Sequence, residues 1–225
     1  MTASTYQPIH HLGRIVDMIT HQRELRSLAY GRPGNRVDSV EDLRRNVGGA
    51  LSIAVLTSAH DLAVQLDLDD LGQGSDIQVI VREDGEGRPG IPPQSITLSA
   101  NAYLLTARRT GLFRPGRSQI AQAAQLDDWT ATANCWIRDD PTQTDWTEVG
   151  VHVLMGNVRE PREAGSASRG PWDADPFSFL LLAAECHAAR KGLEGLLHPI
   201  PCQFALDRVA EREAQRPVDQ ASSDG

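Results

Sequence analysis

Apolar positions recur at helical spacing through residues 8–30, where Ile9, Leu12, Ile15, Val16, Ile19, Leu25 and Leu28 form one stripe that Gly31, Pro33 and Gly34 end. Ser39 with Asp42 three residues later resembles a capping box with a shortened acid, and opens a second helix. Beyond Gly48 and Gly49 the run ALSIAVLTSAHDLAVQL predicts a largely buried helix, in which His60 reads as a core or boundary histidine rather than a ligand. The period then shortens. Residues 77–82, IQVIVR, read as a strand, EDGEGRPGIPP as a turn-rich loop, and Ile96, Thr97 and Leu98 as the strand that completes a hairpin. Ser99 is the expected N-cap of a short helix running through Arg109, with Gly111 set to stop it and RPGRSQ following as a loop.

Strict alternation in WTATANCWIRD puts Trp129, Ala131, Ala133, Cys135 and Ile137 on one face of a strand. Thr130, Thr132, Asn134, Trp136 and Arg138 fall on the other. The turn DDPTQTD leads to a partner, WTEVGVHVLM, with Thr147, Val149, Val151 and Val153 on one side and His152 opposite. NVREPREAGSASRGP is a polar loop, and from Pro176 the segment FSFLLLAAECHAARKGLEGLL is apolar nearly all round, as expected of a helix that backs a sheet. The expected fold class is therefore α+β: antiparallel hairpins forming a small sheet backed by helices, with an N-terminal helical region. The boundaries are 1–66 for that region, 67–198 for the core, and 199–225 for a short helix followed by a disordered tail.

Composition is that of a soluble globular chain, with 40% hydrophobic and 23% charged residues among 225. No apolar run approaches the ~18 residues that cross a bilayer, and MTASTYQPIHH lacks a signal-peptide core, so a cytoplasmic protein without a membrane partner is expected. Three dispersed cysteines, Cys135, Cys186 and Cys202, with no CxxC pair, speak against a zinc ribbon or a disulfide framework. A net charge of −8 argues against nucleic acid as a partner until its distribution is considered. Arg108, Arg109, Arg114 and Arg117 fall within ten residues that contain no acid, and Lys191 is the only lysine, so the basic residues are those that fork onto phosphate. Asp67, Asp69, Asp70 and Asp76 could converge on Mg²⁺, but LDLDDLGQGSD reads better as a helix exit and turn, so no metal or other cofactor is expected. Cys186 and His187, adjacent on a helix, point about 100° apart and make a poor nucleophile and base.

Three segments in order resemble the RecT/Bet (Red-beta-like) family of phage single-strand annealing proteins. SANAYLLTARRTGLF is similar to the family's strand, turn and helix, with Tyr103, Arg109, Thr110, Gly111 and Phe113 in matching places. Trp129 to Arg138 and Trp146 to Leu154 match its hairpin. Trp172 and Pro176 ahead of Arg190, Lys191, Gly192 and Leu193 match its final helix. The resemblance spans about Leu66 to Leu197 and departs from the family at Leu182, where a lysine is usual, and at LDLDDLGQG, where the family has a shorter turn.

The resemblance implies a homo-oligomeric ring or filament that binds single-stranded DNA and anneals complementary strands without ATP in phage-type recombination. It would work beside a partner exonuclease and a host single-strand binding protein, and would not itself be an enzyme. Neither a catalytic residue nor a P-loop is expected. The expected DNA contacts are Arg108, Arg109, Arg114, Arg117, Arg138, Arg190 and Lys191, with Tyr103 and Trp172 as stacking candidates or core aromatics. Two other readings remain open. One is a phage or mobile-element assembly protein without nucleic-acid activity; the other is a Mg²⁺-dependent nuclease built on the Asp67 to Asp76 acids.

Overall fold

A computed structural model describes residues 12–30, 53–68, 77–81, 94–158, 174–204 and 206. In chain order they form α1 (Gly13–Tyr30), α2 (Ile53–Leu66), β1 (Ile77–Val81), β2 (Gln94–Leu98), α3 (Ala100–Arg109), β3 (Phe113–Ala121), a 3-10 turn (Leu126–Asp128), β4 (Thr130–Ile137), β5 (Thr147–Leu154), α4 (Met155–Val158), α5 (Pro176–Gly192) and α6 (Glu194–Leu197). The α+β class read from the sequence is the one observed: a small three-stranded antiparallel sheet with helices against it and a helix at the N-terminal end. The helix expected from Ser39, the Asp69, Asp70 and Asp76 acids, Trp172 and the C-terminal tail lie outside the described residues. Among the described residues no helix is long and apolar enough to cross a membrane.

β1 and β2 form an antiparallel ribbon with Ile77 opposite Leu98 and Val79 opposite Ile96. The chain that follows α6 returns beside this ribbon, where Leu98 N–H donates to Pro201 O and Gln203 N–H to Leu98 O. The larger sheet has the order β3-β4-β5. α5 lies across one face of it and also packs on α3, so from Leu180 to Arg190 this apolar helix is buried or half-buried throughout, whereas Phe177 in its first turn is exposed. Small residues set how closely they approach: Ala183, Ala184, Ala188 and Ala189 are buried on α5, as are Ala131 and Ala133 on β4. Near the end of α5 a Cβ on Gly192 would lie 2.6 Å from Ile137 Cγ2, so only hydrogen fits there. Asp175 caps α5 by accepting from Ser178 N–H at 3.0 Å. One apolar cluster runs from Leu12, Ile15 and Ile19 of α1 through α2, α3 and the sheet to Leu197 and Ile200.

The local punctuation around α3 matches its sequence. Ser99 accepts from Ala102 N–H at 3.2 Å, and Gly111 ends the helix at φ 73° with its N–H on Arg108 O. RPGRSQ, expected as a loop, is instead part of β3. It is an edge strand, where proline's missing N–H costs no ladder bond, and the pairing with β4 shifts between Pro115 and Ser118. A Cβ on Gly116 would lie 2.4 Å from Asn134 O, so the irregularity needs glycine where the two backbones touch.

Candidate nucleic-acid interface

Strand alternation gives the sheet two unlike faces. Ala131, Ala133, Cys135, Val151 and Val153 point to α5 and are buried, and Cys135 donates its S–H to Ala188 O at 3.4 Å. Burial in that apolar layer pushes the Cys135 thiol up to about 11. On the opposite face the register aligns Arg114, Trp136 and Glu148 in one row, and Gln119, Thr132 and His152 in another. Trp136 is 39% exposed, and Arg114, Glu148 and His152 are exposed as well.

One end of this open face carries an aromatic and guanidinium cluster. The Arg114 guanidinium carbon lies 4.1 Å from the Trp146 ring centroid and that of Arg138 lies 4.6 Å from it. Arg138 is held there by backbone carbonyls: its Nε donates to Gly111 O at 2.9 Å and a terminal nitrogen to Gln143 O at 2.6 Å. Gly111 thus ends α3 and also aims an acceptor at the cluster. Acids rim it. Asp139, Asp140 and Asp145 are exposed in the turn before β5, and hydrogen bonds from the Thr142 hydroxyl and N–H, helped by the Arg138 charge, hold the Asp140 carboxyl below its usual range. Glu148 accepts from Asn134 Nδ2 at 2.8 Å.

The nine residues expected from sequence therefore separate. Arg114 and Arg138 are brought together over Trp146, and Arg117 is exposed at the β3 irregularity. Arg108 is exposed on α3, and Lys191 lies at the outer edge of β5 with its Nζ 3.4 Å from Gly150 O.

Three others turn inward. Tyr103 is fully buried and its hydroxyl donates to Leu197 O at 3.1 Å, which makes it a core aromatic. Arg109 is 8% exposed and closes the end of α2. It donates to Leu66 O at 2.9 Å and to Asp67 O, and its other nitrogen is 3.9 Å from the Asp67 carboxylate. Asp67 has φ 55°, and the Leu68 N–H reaches back to Ala63 O, so Arg109 neutralises a helix C-terminus whose carbonyls lack intrahelical partners. Arg190 is also 8% exposed, close enough to Cys202 for its charge to act on that thiol. These three are withdrawn from the set of DNA contacts because their polar atoms are spent on, or enclosed by, the fold.

Trp172 lies outside the described residues. Sequence reasoning missed Trp136 and Trp146 as site residues. The signal was present in the alternation, since a tryptophan among Thr130, Thr132 and Asn134 is a large apolar group on the polar side of its strand.

Cys186 is buried next to His187, and its thiol is raised by burial first and by its hydrogen bond with Cys202 second, the reverse of what a nucleophile needs. Among the described residues no three His, Cys, Asp or Glu side chains are grouped to hold a metal ion. No protein-family model, curated protein or solved structure matches the chain.

Proposed function

We propose that the chain binds single-stranded DNA on the open face of the β3-β4-β5 sheet and anneals it to a complementary strand, as a homo-oligomer and without ATP. The observation that carries the binding step is the placement of the Arg114 and Arg138 guanidinium groups over the Trp146 ring beside an exposed Trp136. A guanidinium held over a ring is ordered in advance, and Arg138 is fixed further by its bonds to Gly111 O and Gln143 O, so the pair presents a preformed positive site to a phosphate. Phosphate contact without base-edge contact gives binding that is independent of sequence. The annealing step, and the partnership with an exonuclease and a host single-strand binding protein, come from the family resemblance.

The test is a gel shift with single-stranded oligonucleotides over a range of salt. The reading expects a retained complex at low salt and an affinity that falls linearly on logarithmic axes as salt rises. No complex at low salt, with or without a complementary strand, would sink it.

The acid rim at Asp139, Asp140, Asp145 and Glu148 favours a second reading, a phage or mobile-element assembly protein with no nucleic-acid activity. Light scattering separates the two. DNA changes the assembly of an annealing protein and leaves that of a structural one unaltered.

A further inference from the structure

The charged residues rooted on the strands themselves are segregated across the sheet, apart from Arg138 beyond the end of β4 and Lys191 reaching β5 from α5. Arg114 and Arg117 lie on β3, at one edge; Trp136 lies on β4, in the middle; Glu148 lies on β5, at the other edge. Directly opposed residues on antiparallel strands have Cβ atoms roughly 4.5–5.5 Å apart, so the row Arg114, Trp136, Glu148 spans about 10 Å, the width of one nucleotide from phosphate to base. A row that is cationic at one end, aromatic in the middle and anionic at the other complements an unpaired nucleotide in one orientation. A nucleotide carries its anion at the phosphate and a flat π-face at the base.

We infer that Trp136 is the platform on which one base of a single strand stacks, with the sugar-phosphate chain on the β3 side beside Arg114 and Arg117. The inference rests on the single-stranded DNA reading above and adds to it a base-contacting residue and a polarity across the sheet. Two observations support it. Trp136 is 39% exposed on the outward side of β4, where the other outward residues of the strand are Thr130, Thr132 and Asn134, so it is the one large flat apolar surface on that side of the strand. Its neighbour Glu148 is engaged by the Asn134 amide rather than by an arginine, so its negative charge stands over the β5 side and keeps phosphate away from it. Trp146 does not serve as the platform, because the Arg114 and Arg138 guanidinium groups already lie over its ring.

The experiment compares two labelled oligomers of equal length, oligodeoxythymidine and a fully abasic strand, by anisotropy and by tryptophan fluorescence. Wild type is expected to bind both, more tightly to the thymidine oligomer, with only that oligomer quenching the fluorescence. Trp136→Ala should weaken thymidine binding roughly five- to a hundredfold, the range of a lost base–aromatic stack, and leave abasic binding unchanged. Trp136→Tyr should restore most of the affinity and abolish the quench. Arg114→Ala should weaken both oligomers alike, and Glu148→Gln should tighten both.

Equal binding of the two oligomers by wild type, or an undiminished quench in Trp136→Tyr, overturns the stacking assignment and leaves the DNA reading standing. Weaker binding by Glu148→Gln overturns the polarity. If wild type binds neither oligomer, the DNA reading itself falls.

Discussion

Arg109 and Arg114 stand five positions apart in one basic run, and the molecule uses them in opposite ways. Arg109 follows the phase of α3: Ala102, Thr106 and Arg109 recur at helical spacing on its buried side, so the guanidinium turns inward and meets the carbonyls that end α2. Arg108, one position earlier and about 100° around the helix, is exposed. Arg114 follows the parity of a strand instead. It pairs with Trp136 on the open face, and its guanidinium lies over the Trp146 ring. The run is therefore two sites joined by the Gly111 turn. Its inner half is expected to govern stability and its outer half binding, and substitutions can pull the halves apart.

The largest effect on stability is expected from Arg109→Ala. Breaking a buried charged pair costs about 3–5 kcal/mol, and because the Asp67 side chain keeps 23% exposure the lower end, about 3 kcal/mol, is the better figure. Urea unfolding measures it, with Arg108→Ala as the paired control at about 0.5 kcal/mol or less. Equal losses in the two variants would dissolve the division between inner and outer arginines.

Gly116→Ala comes next. Its new Cβ would press on the Asn134 carbonyl, a backbone atom that cannot swing aside, so a loss of about 1–3 kcal/mol is expected in thermal melts. The distorted β3 edge should lower DNA affinity at the same time. Stability lost with affinity intact would detach the strand irregularity from the binding face.

Tyr103→Phe keeps the ring and removes the bond to Leu197 O, for about 1–2 kcal/mol by urea titration and no change in DNA binding. A drop in affinity at unchanged stability would return Tyr103 to the list of stacking residues.

Arg114→Ala is the counterpart on the open face. Its cation–π contact is exposed, so stability should change by about 0.5 kcal/mol or less, while the salt slope of single-strand binding falls by about one unit. A stability loss comparable to that of Arg109→Ala would show that the cluster holds the fold together instead of serving a ligand.

At neutral pH the last prediction has no effect at all. The Cys135 thiol is raised from its ordinary value of 9.0 to about 11, so the folded state favours the neutral form. That contribution is complete below pH 9.0 and is lost as pH climbs from there toward about 11. Melting temperature against pH should fall across that window in wild type and less steeply in Cys135→Ala. Parallel curves would place the titrating group elsewhere.

The elements were legible because each rests on a local signal. Ser99 and Gly111 bracket α3 by hydrogen bonds made within a few residues, and the alternation from Thr130 to Ile137 reports one buried face without naming what covers it. β3 was not legible. Pro115 and Gly116 are turn residues by propensity, and only pairing with β4 makes the stretch Phe113–Ala121 a strand.

The candidate site divides along the same line. That arginines cluster between Arg108 and Arg117 is a property of the sequence. Which of them reach solvent depends on helix phase, on strand parity and on a partner far along the chain: Leu66 and Asp67 for Arg109, Trp146 for Arg114. The sequence by itself determined the α+β class, the caps and the two faces of β4. The tertiary structure alone decided that Arg109 and Arg190 are enclosed while Arg114, Arg138 and Trp146 meet. Local hydrogen bonds and side-chain periods act over a few residues, whereas those burials and stacks form only when distant segments close on one core.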